Sequence, residues 1–532
     1  MSDPVDVLII GAGASGAAVA WSLADTRMRI VCLEQGDWPN SARYPATGRD
    51  WESRRMGDHD FSPNLRRGEA DYPINEADSP IRIANYNGVG GGTVLYTAHF
   101  PRFHPSDFRV RSLDGVADDW PIDYATLEPF YALNDRMMGV SGLGGDPAYP
   151  PKSPVMPPLA LGKSGETLAR GFNALGWHWW PSDSAIASED YEGRARCINL
   201  GNCIAGCAQG AKASTDITYW PLAIRAGVEL RTRCRVREIS CDAEGRATGA
   251  VYFDADGVER FQAAEVVIMA CNGVGTPRIL LNSVSKAFPN GLANSSGLVG
   301  KNLMFHPCAL ITGTFEAPQD GYRGPHNWLW SQEFYETDTA RGFVRGYMLE
   351  ANRGSGPVLS ALSGLGSGLI PLGDDHHRAF RREFGHTVGV VAITEDLPEE
   401  HNAVSLDPVL KDGHGIPAPK IDYRISDNTW RMLDHAVGRA GEMLRAGGAH
   451  TVHDITPLGA GGWHLMGTAR MGTDPRHSVV NEWGRSHDVK NLFIVDGSLF
   501  VTSGAVNPTC TIQAVALYVA ETMKSRLATL FD

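Results

Sequence analysis

The chain has 532 residues, 43% hydrophobic and 20% charged, the balance of an ordinary globular protein long enough for two domains and a large core. Its net charge of −13 excludes a phosphate-binding face built on a Lys/Arg excess, and with it a nucleic-acid partner. No apolar run approaches the ~20 residues of a membrane helix, no secretory leader opens the sequence, and nine scattered cysteines fit reduced thiols, so a cytoplasmic chain without a membrane span is expected.

In chain order, Val5–Ile10 comes first, a nearly continuous apolar run of the kind a strand buried on both faces requires. Gly11, Gly13 and Gly16 follow in G-x-G-x-x-G register around Ala14 and Ser15, and residues 17–23 start an apolar helix. Gly11 allows the tight turn, Gly13 the approach of backbone to a pyrophosphate, and Gly16 the packing of helix on strand. The free N–H groups at the helix start favour phosphate. Residues 29–33 read as a second strand, and Glu34 ends it where an acid takes a ribose hydroxyl pair. This order predicts a dinucleotide site without choosing between FAD and NAD. An acid in that place argues against the 2′-phosphate of NADP.

Residues 87–93 (Asn-Gly-Val-Gly-Gly-Gly-Thr) form a second glycine-rich loop, able to touch a ligand with its backbone, with apolar residues directly after it. Trp177, Trp179 and Trp180 around His178 offer either aromatic platforms for a ligand or a core or subunit contact. Cys197, Cys203 and Cys207 are spaced C-x5-C-x3-C with no fourth ligand nearby, so no metal is expected there. Residues 229–238 read as a strand carrying Val236. Residues 354–370, rich in Gly, Ser and Leu, suit a mobile lid or a disordered loop. Residues 430–445 repeat apolar positions at helical spacing (Trp430, Leu433, Val437, Ala440, Met443, Leu444), and Gly447-Gly448 stops them. A buried strand at 493–495 runs into Asp496. Asn507-Pro508 begins a helix over 509–523, where Asn suits the N-cap and Pro the first turn.

These pieces resemble the glucose–methanol–choline (GMC) flavoprotein oxidoreductases along nearly the whole chain. The resemblance rests on Gly11 to Gly16 with Glu34, the Gly90-Gly91-Gly92-Thr93 loop, and residues 266–283, 297–307, 395–406 and 464–511. One match is loose, since Asn272, Gly273 and Val284 stand where the family pattern has Gly-Ala and Gly, which puts local loop contacts in question. The resemblance implies an α/β fold: a Rossmann-like FAD-binding domain, split along the chain as 1–114, 190–305 and 456–532. An α+β substrate domain of mostly antiparallel sheet, 115–189 and 306–455, would cover the flavin.

The resemblance also implies FAD, held by Gly11, Gly13, Ala14, Ser15, Gly16, Glu34, Gly91, Thr93, Val236 near the adenine, Asp496 near the ribityl or pyrophosphate, and Thr509. Val236 also reads as a plain strand residue, and Asp496 as a turn Asp. Some relatives bind FAD covalently through a His after the Gly-Gly-Thr loop; Tyr96 stands there, with His99 and His104 close behind, so dissociable FAD is expected. His464, in H-x-x-G-T-A-R-M-G, matches the catalytic histidine, a neutral imidazole suited to take the hydroxyl proton while hydride passes to flavin N5. Asn507 matches the second active-site position, where an amide orients the alcohol unless it caps its own helix. That helix, if aimed at the flavin, would favour its reduced anion. The implied reaction is oxidation of an alcohol, in a sugar, polyol or glycoside, as in bacterial pyranose-oxidase-like and C-glycoside-oxidising members, with oxygen, a quinone or a protein as electron acceptor. A hydrophobic primary alcohol, a hydroxynitrile-lyase-like reaction without net redox, and a flavin-loaded redox subunit stand as alternatives.

Overall fold

A computed structural model describes residues 3–45, 48 and 50–530. The Val5–Ile10 strand is buried at every position except Asp6, as its apolar run predicts. It lies parallel between Ile30–Leu33 and the second half of a long strand, Glu259–Met269. Glu229–Arg231 extends the sheet beyond Ile30–Leu33, and Leu492–Ile494 adds on the far side of Glu259–Met269, both in parallel. One sheet is thus assembled from the beginning, middle and end of the chain. The first half of Glu259–Met269 turns antiparallel to Ala247–Phe253, which pairs in turn with Arg235–Cys241.

The strand expected over 229–238 is therefore two strands. Glu229–Arg231 stays in the parallel sheet and Arg235–Cys241, carrying Val236, joins the antiparallel meander; Arg233 at φ 55° turns the chain between them. The Ala14–Leu23 helix packs against the Thr509–Ser525 helix, so the two ends of the sequence meet directly.

A second, antiparallel sheet has the order Thr451–Ile455, Cys308–Thr314, Thr387–Thr394, Tyr347–Asn352, Leu329–Ser331 and Trp180–Pro181. The Asp427–Ala446 helix packs on it, opened by the Ser426 hydroxyl, which accepts the Thr429 N–H. Its buried stripe runs through Met432, Leu433, Ala436, Ala440, Met443 and Leu444. Trp430, counted in the stripe by spacing, is exposed instead, because the stripe begins one turn later. A small third sheet joins Ala403–Lys411, Pro417–Asp422 and Asn75–Asp78.

Residues 357–366 form a helix, not a disordered loop. Glu52, itself buried, accepts the N–H groups of Val358 and Leu359 at 2.9 Å each and pins the helix start to the Trp51–Arg55 helix. The Trp177–Trp180 stretch is half-buried against the core: Trp177 meets Phe334 edge-on, and Trp179 and Trp180 donate to Asn173 and to the Leu143 carbonyl. All nine cysteines are free thiols. Among the described residues no helix is long and apolar enough to cross a membrane.

Candidate active site

The glycine motif ends the first strand and opens the Ala14–Leu23 helix, whose N-cap, Gly13, makes no side-chain cap bond and whose first turn carries no acid. Its positive end therefore faces outward without a competing anion. Gly91, at φ 52°, brings the second loop against the first; a Cβ there would lie 2.8 Å from the Gly13 Cα. Between the loops lies a cleft lined by Gly11, Gly13, Ala14, Ser15, Glu34, Gly91, Thr93, Val236, Asp496 and Thr509. Gly16 is the exception among the expected cofactor residues. It faces the strand rather than the cleft, and a Cβ on it would lie 2.0 Å from the Gly11 carbonyl oxygen, so its task is packing.

The cleft's polar groups suit a dinucleotide. Glu34 accepts the Ala12 N–H through Oε2 at 2.8 Å and the Gly36 N–H through Oε1 at 2.9 Å, which holds the carboxylate at the cleft where a ribose hydroxyl can reach it. Burial pushes its pKa up, and these N–H groups work against that shift. Asp496 accepts from Thr276 Oγ1 at 2.5 Å and from the Ser498 N–H. Asn272, one of the loose family matches, sits at φ 69°, a conformation Asn tolerates almost as glycine does, and its Oδ1 accepts the Val274 and Gly275 N–H groups; the replacement is locally satisfied.

A second cavity adjoins the cleft and shares Gly92, Trp463, His464 and Thr509, among others, with it. His464 stands where the two meet. Its Nδ1 lies 2.7 Å from His306 Nδ1. His306 Nε2 lies 2.6 Å from the Gly504 carbonyl and 3.2 Å from that of Ser503. Carbonyls only accept, so His306 carries its proton on Nε2. Burial pulls its pKa down to about 4, leaving Nδ1 bare. The hydrogen between the rings then belongs to His464 Nδ1, and His464 Nε2 is left as the basic nitrogen. Burial, then the neighbouring His306, hold the His464 pKa well below the usual histidine value, so the imidazole is neutral at pH 7.

Asn507 lines the same cavity. The Thr509–Ser525 helix takes Pro508 as its N-cap with no side-chain cap bond, so Asn507 is not spent on capping. Its amide bonds the Glu350 carboxyl, and its Oδ1 is buried without a partner. Burial pushes Glu350 up to about 8, so this acid keeps its proton at neutral pH. His99 Nε2 stands 3.7 Å from Glu350 Oε2. Tyr96 and His99 line this second cavity, not the nucleotide cleft; Tyr96 donates its hydroxyl to the Ala213 carbonyl at 2.8 Å. His104 stacks on Tyr335 at 3.9 Å and lines neither.

The whole chain is similar to 2-methyl-1,2-propanediol dehydrogenase from Mycolicibacterium austroafricanum, with 40% identity over 100% of this chain and 97% of that protein. Residues 162–308 and 398–516 each match the family described as GMC oxidoreductase, and 9–65 match an NAD(P)-binding Rossmann-like domain. The chain belongs to the GMC oxidoreductase family. This GMC oxidoreductase is an FAD enzyme that acts on alcohol groups. It is also 29% identical to the fructose dehydrogenase large subunit of Gluconobacter japonicus over 98% of both chains. Its fold is shared with pyridoxine 4-oxidase from Mesorbium loti (TM-score 0.64, 16% identity, 98% and 99% of the two chains).

Four side chains at the site of this GMC oxidoreductase, Thr276, His306, Glu350 and His99, have no role there assigned from the sequence. Thr276 and His306 both lie inside the segments that carry the family resemblance, at 266–283 and 297–307. Glu350 stands in a fully buried strand run, Tyr347–Ala351, where an acid is out of place. His99 was noted only as a rival for a covalent link.

Proposed function

We propose that this enzyme oxidises one hydroxyl of a small polyhydroxylated substrate, a polyol or sugar derivative, to the carbonyl, with His464 Nε2 taking the hydroxyl proton. The observation that carries the reading is the His306–His464 hydrogen bond, which fixes a bare imidazole nitrogen where the nucleotide cleft meets the second cavity. Bound FAD supplies the acceptor for the hydride that leaves the same carbon. The chain's own groups do the rest. His464 holds the proton at Nε2 while His306 keeps its ring in one tautomer. Asn507, free of capping, positions the substrate oxygen. Gly11 to Ser15, Glu34, Gly91, Thr93, Val236, Asp496 and Thr509 hold the dinucleotide. The paired polar groups in the second cavity (Glu350 with His99, His326 with Asn352) favour a substrate with several hydroxyls over a hydrophobic primary alcohol. The relatives named for a diol and for fructose point the same way.

We read residues 1–114, 190–305 and 456–532 as the FAD-binding domain and the rest as the substrate domain, a division supported by which strands share the parallel sheet. FAD is dissociable on this reading, because His464 is the histidine that lines the nucleotide cleft among the described residues and Tyr96 faces away from it. Acid precipitation checks that point: a colourless pellet with yellow supernatant is expected, and a yellow pellet contradicts it. The function is tested by anaerobic addition of diols, polyols, sugars and long primary alcohols. Bleaching of the flavin with carbonyl product from hydroxyl-rich compounds is expected. Product formed with the yellow colour intact would instead mark a lyase.

A further inference from the structure

Two guanidinium groups, Arg55 and Arg353, line the second cavity together with His464 and Asn507, and neither lines the nucleotide cleft. Arg353 is nine-tenths buried at the end of the Tyr347–Asn352 strand, donates to the Tyr322 carbonyl, and has a buried Nε with no partner. Arg55 rests 5.9 Å from the Phe61 ring and forms no ion pair or hydrogen bond among the described residues. Two carboxylates stand near them: Glu52, near both, whose two oxygens already hold the Val358 and Leu359 N–H groups, and Asp60, near Arg55, whose Oδ1 accepts the Ser62 N–H. The acid of the cavity wall, Glu350, keeps its proton at neutral pH, since burial pushes it up to about 8. The histidines there are neutral too: burial pulls His99 down to about 3, and burial with the two arginines drives His326 well below its usual value. Neither Glu52 nor Asp60 lines the cavity, so the charges on its wall are the two guanidinium groups, in a low-dielectric setting where an unmatched charge is costly.

His326 sharpens the ligand. Its Nδ1 lies 2.9 Å from Asn352 Oδ1 and donates to it, so its Nε2 is a bare acceptor, buried and without a partner. A hydroxyl beside the anion can donate to that nitrogen. We propose that Arg55, Arg353 and His326 form an anion subsite of the substrate cavity that binds the carboxylate end of a polyhydroxy acid. The planar guanidinium forks suit the two oxygens of a carboxylate. The proposal rests on the alcohol-oxidation reading for the identity of the cavity, and narrows its substrate to acidic polyols.

The test is calorimetric binding to the FAD-loaded enzyme at pH 7 and low salt, with matched pairs of probes: sodium glycerate against glycerol, and sodium gluconate against sorbitol. The acid of at least one pair should bind about tenfold or more tightly than its neutral partner, and added salt should shrink the difference. Arg55→Gln and Arg353→Gln should each erase the difference while the neutral polyols keep their affinity within about twofold. Arg353→Lys, which keeps the charge, should restore part of it and so separates lost charge from lost packing. Acids that bind no tighter than their polyols in both pairs, or variants that weaken acid and polyol alike, overturn the subsite. Arginine-dependent acid binding without any oxidation supports the subsite and counts against the alcohol reading alone; oxidation of polyols without acid preference does the reverse.

Discussion

The nucleotide cleft and the substrate cavity meet at His464 but are built by opposite means. The cleft leans on backbone: two glycine loops in contact, an uncapped helix start, and one acid closing a strand, all within the first hundred residues, with Val236, Asp496 and Thr509 closing it from later in the chain. The cavity is mostly side chain, with Arg55 from a short helix, His99 from a loop, Glu350 from one strand and Arg353 just past its end, Val391 and Ile393 from another strand, and His464 and Asn507 from near the chain's end. Backbone sites demand particular residues at fixed spacing and tolerate little change. Side-chain sites demand only that the fold bring groups together.

Substitutions should divide along this line. The largest effect is expected for Gly16→Val, which places side-chain atoms on the Gly11 carbonyl: the purified protein should be colourless and melt at lower temperature, while no single change among Arg55, His99 or Glu350 strips FAD. Visible absorbance and thermal melting check this. Next comes His306→Leu, which removes the acceptor for His464 Nδ1–H. It should lower kcat about 10- to 100-fold with KM little changed. Because His306 also holds the His464 pKa down, the acid limb of the rate profile, which in the native enzyme should lie below the ordinary histidine pKa, should move to higher pH in the variant. A merely structural role would leave that limb in place. Asn507→Ala should cost on the order of tenfold in kcat/KM, the worth of one oriented hydrogen bond of ~1–2 kcal/mol, with FAD spectra unchanged.

Glu350→Gln should have the smallest effect on kcat/KM at pH 7, where the native carboxyl already holds its proton and the amide imitates it. The difference should emerge with pH. The folded pKa, about 8, lies above the unfolded one, so the residue's contribution to stability is fully present at low pH and is lost as pH rises from the ordinary carboxylate range through about 8. Melting temperatures of native and variant protein should therefore cross as pH rises, and an alkaline break in kcat/KM near pH 8 should disappear in the variant.

The same division explains what could be read from the sequence. The first strand, its glycines, Glu34 and the helix at the chain's end were legible because periodicity and spacing record local backbone geometry. His464 and Asn507 were legible through a family motif, not through their own surroundings. The break between Glu229–Arg231 and Arg235–Cys241 was not, since a continuous β-like run does not say which sheet each half will join. The helix at 357–366 was hidden by its Gly and Ser content; it is held by Glu52, hundreds of residues earlier. His306, Glu350 and the two arginines gain meaning only from neighbours that the fold supplies.

The most direct measurement is the anaerobic single-turnover rate of flavin reduction by a polyol substrate in native enzyme and in His464→Ala, both loaded with FAD. The variant should keep the oxidised flavin spectrum and lose about 10²- to 10⁴-fold in rate. Reduction at a rate within twofold of the native enzyme would contradict the assignment of the base.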